Sequence, residues 1–200
     1  MFSNNRIINK NIKNTNTLGD VLDHVKKHKN KDDLIVFLDF DDTIINARND
    51  KILEPEITKE LINYLTTNGI YFSIITGRFY ETVCNAEKRE LIDMEYNVVE
   101  TMHPILVELG IDVSTHQTDV FRKDFYEVTD EYGYCVGIVY MGIMFTPHKG
   151  PMIKNWMRHT GVKKGSVFFA DDFEPYIISV ASSLPDAIIF RRFPPHTKMH

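Results

Sequence analysis

Four apolar runs along the chain each end in polar residues. The runs cover residues 35–38, 70–75, 137–145 and 167–170. They lead, in that order, into Asp39-Phe40-Asp41-Asp42-Thr43, Thr76-Gly77-Arg78, Thr146-Pro147-His148-Lys149-Gly150 and Asp171-Asp172. Short unbroken apolar runs are typical of strands buried in a parallel sheet. The pattern therefore predicts that these polar groups lie at carboxyl ends of strands, the edge where open α/β sheets bind ligands.

Helical spacing of apolar residues fills much of the chain between these runs. It predicts helices over residues 18–28, 56–68, 98–109, 152–159 and 176–182. Residues 132–147, which are rich in Gly and β-formers, predict strands joined by a tight turn. Strands and helices in alternation predict an α/β fold with a doubly wound, mostly parallel sheet.

The same pattern suggests how the chain is organised. We expect residues 1–17, which are polar, to be a mobile leader, and residues 18–200 to form one domain. Residues 79–134 have room for a helical insert that leans over the site as a small or minimal cap, or for extra helices at the rim of the site. The dozen residues between Asp42 and Pro55 are too few for an independent lid.

Composition narrows the class of protein. With 200 residues, 43% of them hydrophobic, the chain can bury one sizeable core. The net charge of −5 argues against nucleic acid as a partner. No apolar stretch approaches the roughly 20 residues of a membrane span, and the polar start predicts no Sec signal peptide. Cys84 and Cys135 are expected to be buried thiols, which suits a reducing compartment.

The residues at the strand ends form a chemically coherent set: an acid pair, a hydroxyl, a lysine and a second acid pair. Phosphoryl transfer needs such a set, because its catalysis is mostly positioning and charge neutralisation. Two acids separated by one residue can bind a divalent cation, and one of them can attack phosphorus. Alternatively, Asp39 and Asp41 are a turn or a helix cap rich in Asp.

The four motifs, in this order, resemble those of the haloacid dehalogenase superfamily of phosphotransferases. The resemblance covers residues from about 34 to 190. It implies that Asp39 is the nucleophile that becomes an aspartyl phosphate and that Asp41 is the general acid and base. It also implies that Thr76 and the amide of Gly77 hold phosphoryl oxygens and that Lys149 neutralises charge.

The resemblance further implies a Mg²⁺ site. Asp171, helped by Asp172, would complete an oxygen shell for the ion with Asp39 and the main-chain carbonyl of Asp41. In this superfamily an acid at the position of Asp41 marks phosphatases and mutases, which favours hydrolysis of a phosphomonoester.

Two positions depart from the pattern. Asp42 stands where Gly is frequent, and we expect it to be peripheral. Many relatives place a third acid or an Asn four or five residues after the last motif, where this chain has Pro175 and Tyr176. Glu174 is the nearest substitute for that acid.

The stretches DVLDHVKKHKNKDDLIVFLDFDDTI, GIMFTPHKGPMIKNWM and VFFADDFEPY also resemble a branch of the superfamily from intracellular bacteria. That branch includes secreted effector phosphatases, some of which act on phosphotyrosine. It implies a phosphoprotein substrate and secretion into a host cell. A small-metabolite or nucleotide phosphatase is the alternative.

Two hypotheses of other classes remain. A phospho-acceptor domain of the receiver type uses similar residues, but in receivers the acceptor Asp lies between the acidic pair and the Thr. No strand-end Asp lies between Asp42 and Thr76 here. The other is a non-catalytic phosphate-binding or signalling module on the same fold.

Some residues near the motifs keep two interpretations. Arg78 either binds phosphate or forms a salt bridge. His148 contacts substrate or faces solvent. Five aromatic residues either line a substrate pocket or pack in the core or at its rim. They are Phe79, Tyr80, Phe121, Phe125 and Tyr126.

Overall fold

The computed structural model describes residues 11–78, 101–111, 125–140, 142–163 and 165–193. The strands of this part are β1 Ile12–Thr15, β2 Leu34–Leu38, β3 Ile45–Asn46, β4 Lys51–Ile52, β5 Tyr71–Thr76, β6 Phe125–Thr129, β7 Cys135–Tyr140, β8 Ile143–Phe145, β9 Ser166–Asp171 and β10 Ile188–Arg192. The α-helices are α1 Leu18–Lys27, α2 Pro55–Thr67, α3 His103–Glu108, α4 Lys149–Thr160 and α5 Glu174–Ser183.

The main sheet has eight strands in the order β1-β10-β9-β2-β5-β8-β7-β6. The first six are parallel to their neighbours, and β7 and β6 extend the sheet antiparallel. From β2 the chain runs outward through β5 to β8 and later returns to β9 on the other side of β2. This reversal beside β2 confirms the predicted doubly wound, mostly parallel α/β sheet, and the carboxyl ends of the strands beside such a reversal are where these folds bind ligands.

Helices cover both faces of the sheet. Alternate residues of β2 point to opposite faces, as the twofold period of a strand requires. Leu34, Val36 and Leu38 join a core with α1, α2 and α3. Ile35 and Phe37 join a second core with α4 and α5. Burial on both faces explains why β2 is an unbroken apolar run.

The N-terminal prediction is wrong for residues 12–17. Ile12–Thr15 pair with β10 as the parallel edge strand of the main sheet. Thr17 is the N-cap of α1, and its side chain accepts a hydrogen bond from the Gly19 amide. Residues 1–10 lie outside the described residues.

The insert predicted over residues 79–134 is wrong for its described ends. Helix α3 packs Leu106 into the main core, and Phe125–Thr129 form a hairpin with β7 that continues the sheet. These segments belong to the central layers. Residues 79–100 and 112–124 lie outside the described part, so the predicted cap there is not described.

The smaller predictions have mixed outcomes. Residues 132–147 do form strands and a turn, with Gly142 at φ 76°. The burial predicted for Cys135 is wrong, since it is exposed at the start of β7; Cys84 lies outside the described residues. Among the described residues, no helix has the length and apolar character needed to cross a membrane.

Candidate active site

A buried lysine joins two carboxylates at the carboxyl ends of β2 and β9. The Nζ of Lys149 donates to Asp39 Oδ1 and, at 2.7 Å, to Asp171 Oδ2. Lys149 and Asp171 are fully buried, and Asp39 is nearly so. Burying three ionisable groups is costly unless they pair. Three separate elements therefore meet in one ion-pair network.

The sheet register places the two carboxylates side by side. Leu38 of β2 pairs with Ala170 of β9, so the next residues are Asp39 and Asp171. The Asp39 amide donates to the Ala170 carbonyl at 2.9 Å, and Asp171 Oδ1 accepts from the Phe173 amide at 2.8 Å. Both side chains are thus fixed at the strand tips.

Lys149 is positioned by the close approach of two helices. It is the first residue of α4, and the following Gly150 lies directly against α5. A Cβ on Gly150 would overlap the backbone carbonyl of Ser179. The lack of a side chain at position 150 lets α4 pack close enough to α5 for the Lys149 ammonium to reach Asp171.

Burial and mutual repulsion raise the pKa values of the carboxyl groups at the site. Burial raises the pKa of Asp39 to about 7; Lys149 opposes the shift, and the Asp171 carboxylate adds to it. Burial also raises the pKa of Asp171. Burial, with the charges of Asp39 and Asp42, raises the pKa of Asp172 to about 6. Burial would lower the pKa of Lys149, but the two carboxylates it contacts outweigh burial and raise it.

These acids have the arrangement and chemistry of a cation site. One carboxylate oxygen from each of Asp39, Asp171 and Asp172 can be chosen so that all three lie within 4.8 Å of one another. Carboxylate oxygens are the ligands that Mg²⁺ prefers. Burial raises the pKa values of all three acids, and the single ammonium of Lys149 does not cancel that rise. When the three carboxyl groups are ionised, one ammonium leaves net negative charge at the site. A divalent cation would neutralise that charge.

The hydroxyl motif lies on the neighbouring strand. Thr76 ends β5, which pairs with β2, and its side chain is buried. Its Oγ1 accepts from the Arg78 amide at 2.9 Å, which shapes the turn that carries Gly77. Thr76 and Gly77 therefore flank Asp39 on the side of β2 opposite Asp171.

Asp41 is held by an arginine. Arg78 donates from Nε and Nη2 to the Asp41 carboxylate, with Nε at 3.1 Å from Oδ1. A second bond at 3.0 Å joins Arg78 to Asp50, in the turn of the β3–β4 ribbon. Of the two interpretations of Arg78, the structure shows the salt bridge. Because both partners are partly buried, the pair is screened less than an exposed one.

Asp42 and Glu174 are occupied elsewhere. Asp42 has φ 51°, a left-handed conformation that favours Gly, and its side chain accepts from the Ala47 amide at 3.0 Å. Asp42 is thus bonded within its own loop. Glu174 pairs with Arg191 at 3.3 Å and is largely exposed, so the structure does not bring it into the cluster as a substitute acid.

Two further residues at the site were not predicted. The ring of Tyr176 lies over Lys149, with Nζ 4.4 Å from its centroid. Its position after the last motif was the available signal. Arg192 is buried, donates to Glu54 at 2.8 Å, and has its pKa lowered by burial. The charges of Asp42 and Asp172 act on it, and nothing in the sequence distinguished it from Arg191.

Among the other candidates, the structure describes the side chains of Tyr126 and His148. Tyr126 accepts from Trp156 Nε1 at 2.9 Å and stacks near His159, which is rim packing. His148 is exposed. Phe79, Tyr80 and Phe121, and the side chain of Phe125, lie outside the described residues.

Comparison with known proteins found one family match. Residues 36–101 match the model of a family described as haloacid dehalogenase-like hydrolase. The matched part includes Asp39, Asp41, Thr76 and Gly77, and it supports the resemblance to that superfamily. No curated protein and no solved structure is significantly similar to the chain.

Proposed function

We propose that this protein is a Mg²⁺-dependent phosphatase that hydrolyses phosphomonoesters through an aspartyl phosphate on Asp39. The observation that carries the proposal is the contact of the buried Lys149 ammonium with both Asp39 and Asp171. A structural core does not require a cation and three acids converging on one strand edge, whereas phosphoryl transfer does.

Each residue has a definite role in the proposed reaction. A carboxylate oxygen of Asp39 attacks phosphorus, the bond from phosphorus to the ester oxygen breaks, and Asp41 gives that oxygen a proton. Asp41 then takes a proton from water, whose oxygen attacks the aspartyl phosphate and releases inorganic phosphate and Asp39. Thr76 and the Gly77 amide hold the phosphoryl oxygens, and Lys149 neutralises their charge.

The cation belongs to the acid cluster. Asp39, Asp171 and Asp172 would hold Mg²⁺, which when bound supplies positive charge for the phosphoryl oxygens. The role of the Asp41 carbonyl stays a prediction.

The test is an assay of aryl phosphate hydrolysis with and without Mg²⁺. We expect activity that a chelator abolishes and that Asp39→Asn removes, because an amide is a far weaker nucleophile than a carboxylate. Asp23→Asn on the exposed face of α1 is the matched control and should keep full activity. Full turnover by Asp39→Asn would exclude the assigned nucleophile. Phosphate binding without turnover by the native protein would favour the non-catalytic module.

For the substrate we propose an aromatic phosphate, with phosphotyrosine on a protein as the main candidate. Phe173 directly follows the acidic pair, is 51% exposed and packs edge-on against Tyr176 at 5.1 Å between ring centroids. Exposed aromatic rings beside a phosphate site can pack against the ring of a leaving group. The effector-type resemblance points to the same substrate.

The substrate proposal has its own measurement. Native protein and Phe173→Ala are compared on phosphotyrosine, phosphoserine and nucleotide monophosphates, with Tyr132→Ala on the exposed hairpin as the control. We expect a preference for phosphotyrosine that Phe173→Ala reduces. A preference for nucleotides would favour the metabolite phosphatase instead. The reducing compartment and secretion into a host cell stay predictions.

A further inference from the structure

Tyr176 lies at the centre of the candidate site, although the resemblance to the superfamily assigns it no role. It lies in the first turn of α5, a few residues after Asp171 and Asp172. Its ring packs face-on over the Lys149 ammonium, 4.4 Å from the centroid, and edge-on against Phe173. A cation held over an aromatic face is attracted by the ring. The ring is therefore fixed by the same lysine that binds Asp39.

This ring position directs the phenol oxygen to the phosphate-binding turn. A Cβ built on Gly77 would lie 2.7 Å from Tyr176 Oη. The hydroxyl thus sits against the backbone of the turn that carries Thr76 and Gly77. Within the described residues the hydroxyl has no hydrogen-bond partner. A phenol is a hydrogen-bond donor at neutral pH, so this donor is available at the turn.

The negative charge of the site favours a neutral hydrogen-bond donor at this position. A phosphoryl group brings negative charge into a cluster that already holds Asp39, Asp171 and Asp172 around one ammonium. Another acid near them would strengthen cation binding but repel the phosphoryl oxygens. A neutral O–H at the same place adds no negative charge and offers those oxygens a proton to bond.

We infer that the Tyr176 hydroxyl is a phosphoryl-binding donor, which completes a set with Thr76, the Gly77 amide and Lys149. The inference rests on the proposed function for its ligand, a phosphoryl group. In this chain a hydrogen-bond donor to phosphate lies near the position where many members of the superfamily that the chain resembles carry an acid or an Asn. The site gains affinity for phosphate and has one acid fewer for the metal.

Tyr176→Phe tests the inference, because it removes the hydroxyl and keeps the ring over Lys149. The dissociation constant of inorganic phosphate is measured by calorimetry at saturating Mg²⁺, and KM and kcat for an aryl phosphate are measured beside it. We expect the dissociation constant and KM to rise together by roughly tenfold or more, the loss of a hydrogen bond to a charged group. We expect kcat to change less. Tyr132→Phe on the exposed hairpin is the matched control and should leave both values unchanged.

A second variant replaces the hydroxyl donor with an acid. Tyr176→Asp should tighten Mg²⁺ binding and weaken phosphate binding, because it adds a carboxylate facing the cluster. Phosphate affinity unchanged in Tyr176→Phe would overturn the inference and leave Tyr176 a packing residue. Because phosphate binding is measured without turnover, the inference can hold in a protein that fails the hydrolysis assay, and it can fail in one that passes.

Discussion

The ion pair of Arg78 with Asp41 bears on the proposed proton transfer. The guanidinium binds both oxygens of the Asp41 carboxylate, and its Nη2 also donates to Asp50. A general acid must carry a proton and be aimed at the leaving oxygen, so Asp41 acts in that step as a protonated carboxyl group. Arg78 therefore sets the direction of Asp41, and the β3–β4 ribbon supports Arg78 through Asp50.

Replacing Arg78 should slow the reaction more than replacing Asp50. We expect Arg78→Ala to lower kcat by roughly tenfold or more, because Asp41 loses its fixed orientation. Asp50→Asn should cost much less, since the Asp50 side chain is 53% exposed and exposed ion pairs contribute little. Arg48→Ala in the same ribbon is the control. Native kcat in Arg78→Ala would remove Asp41 orientation from the mechanism.

The sequence predicts which residues meet at the site, but not how each side chain points. Asp39, Thr76 and Asp171 lie at the ends of buried strands, and the carboxyl ends of parallel strands meet at one edge. The partner of Arg78 and the direction of the Tyr176 ring depend on side-chain conformations and on distant elements. No local pattern encodes them, so these two residues required the structure.

The close contact of α4 and α5 is the element-scale feature on which the site depends. Gly150 faces the Ser179 carbonyl, and its amide donates to the Ser179 hydroxyl at 3.3 Å. Lys149 comes immediately before Gly150 and Tyr176 lies on α5. A change in the spacing of these helices therefore moves both residues.

Gly150→Ala should both destabilise the protein and reduce activity. The added methyl group would force the helices apart, which typically costs about 1–3 kcal/mol, and would displace Lys149. Gly19→Ala in α1 is the matched control, since its Cβ meets only Thr17 side-chain and Ile57 atoms, none nearer than 3.3 Å. Thermal unfolding and kcat are measured for both variants. An unchanged melting temperature in Gly150→Ala would contradict the packing described for α4 and α5.

Elements with a strong local pattern of apolar residues, such as α2, could be predicted from the sequence. Strand β1 has no such pattern and could not. Helix α2 begins at Pro55 and ends before Gly69, close to the predicted bounds. Strand β1 has one apolar residue, Ile12, among polar ones. Its position is set by pairing with β10, nearly the whole chain away. Such an edge strand has little periodicity of its own.

At the scale of the whole molecule, the carboxylates of the site are expected to couple folding to pH and, under the proposed function, to Mg²⁺ binding. The pKa of Asp39 is raised from its model-compound value of 3.8 to about 7, and that of Asp172 to about 6. A group with a raised pKa in the folded state holds a proton that the unfolded chain releases. Its contribution to stability is present below about pH 4 and is lost as the pH rises through 6 and 7.

The metal-free protein should therefore lose melting temperature between about pH 4 and pH 7 from these groups. Mg²⁺ should reverse the loss, because it binds the ionised carboxylates and stabilises only the folded state. The expected result is a larger rise in melting temperature on adding Mg²⁺ at pH 8 than at pH 5. Asp39→Asn should show a smaller rise. An equal Mg²⁺ effect at both pH values would contradict a cation site built from these carboxylates.

The most direct measurement of the central claim is a crystal structure with Mg²⁺ and beryllium fluoride, which mimics a phosphoryl group on a carboxylate. We predict the fluoride complex on an Asp39 carboxylate oxygen, with Lys149 Nζ and Thr76 Oγ1 within hydrogen-bonding distance of its fluorines. A complex bound at another residue, with Asp39 unmodified, would contradict the assignment of Asp39 as the nucleophile.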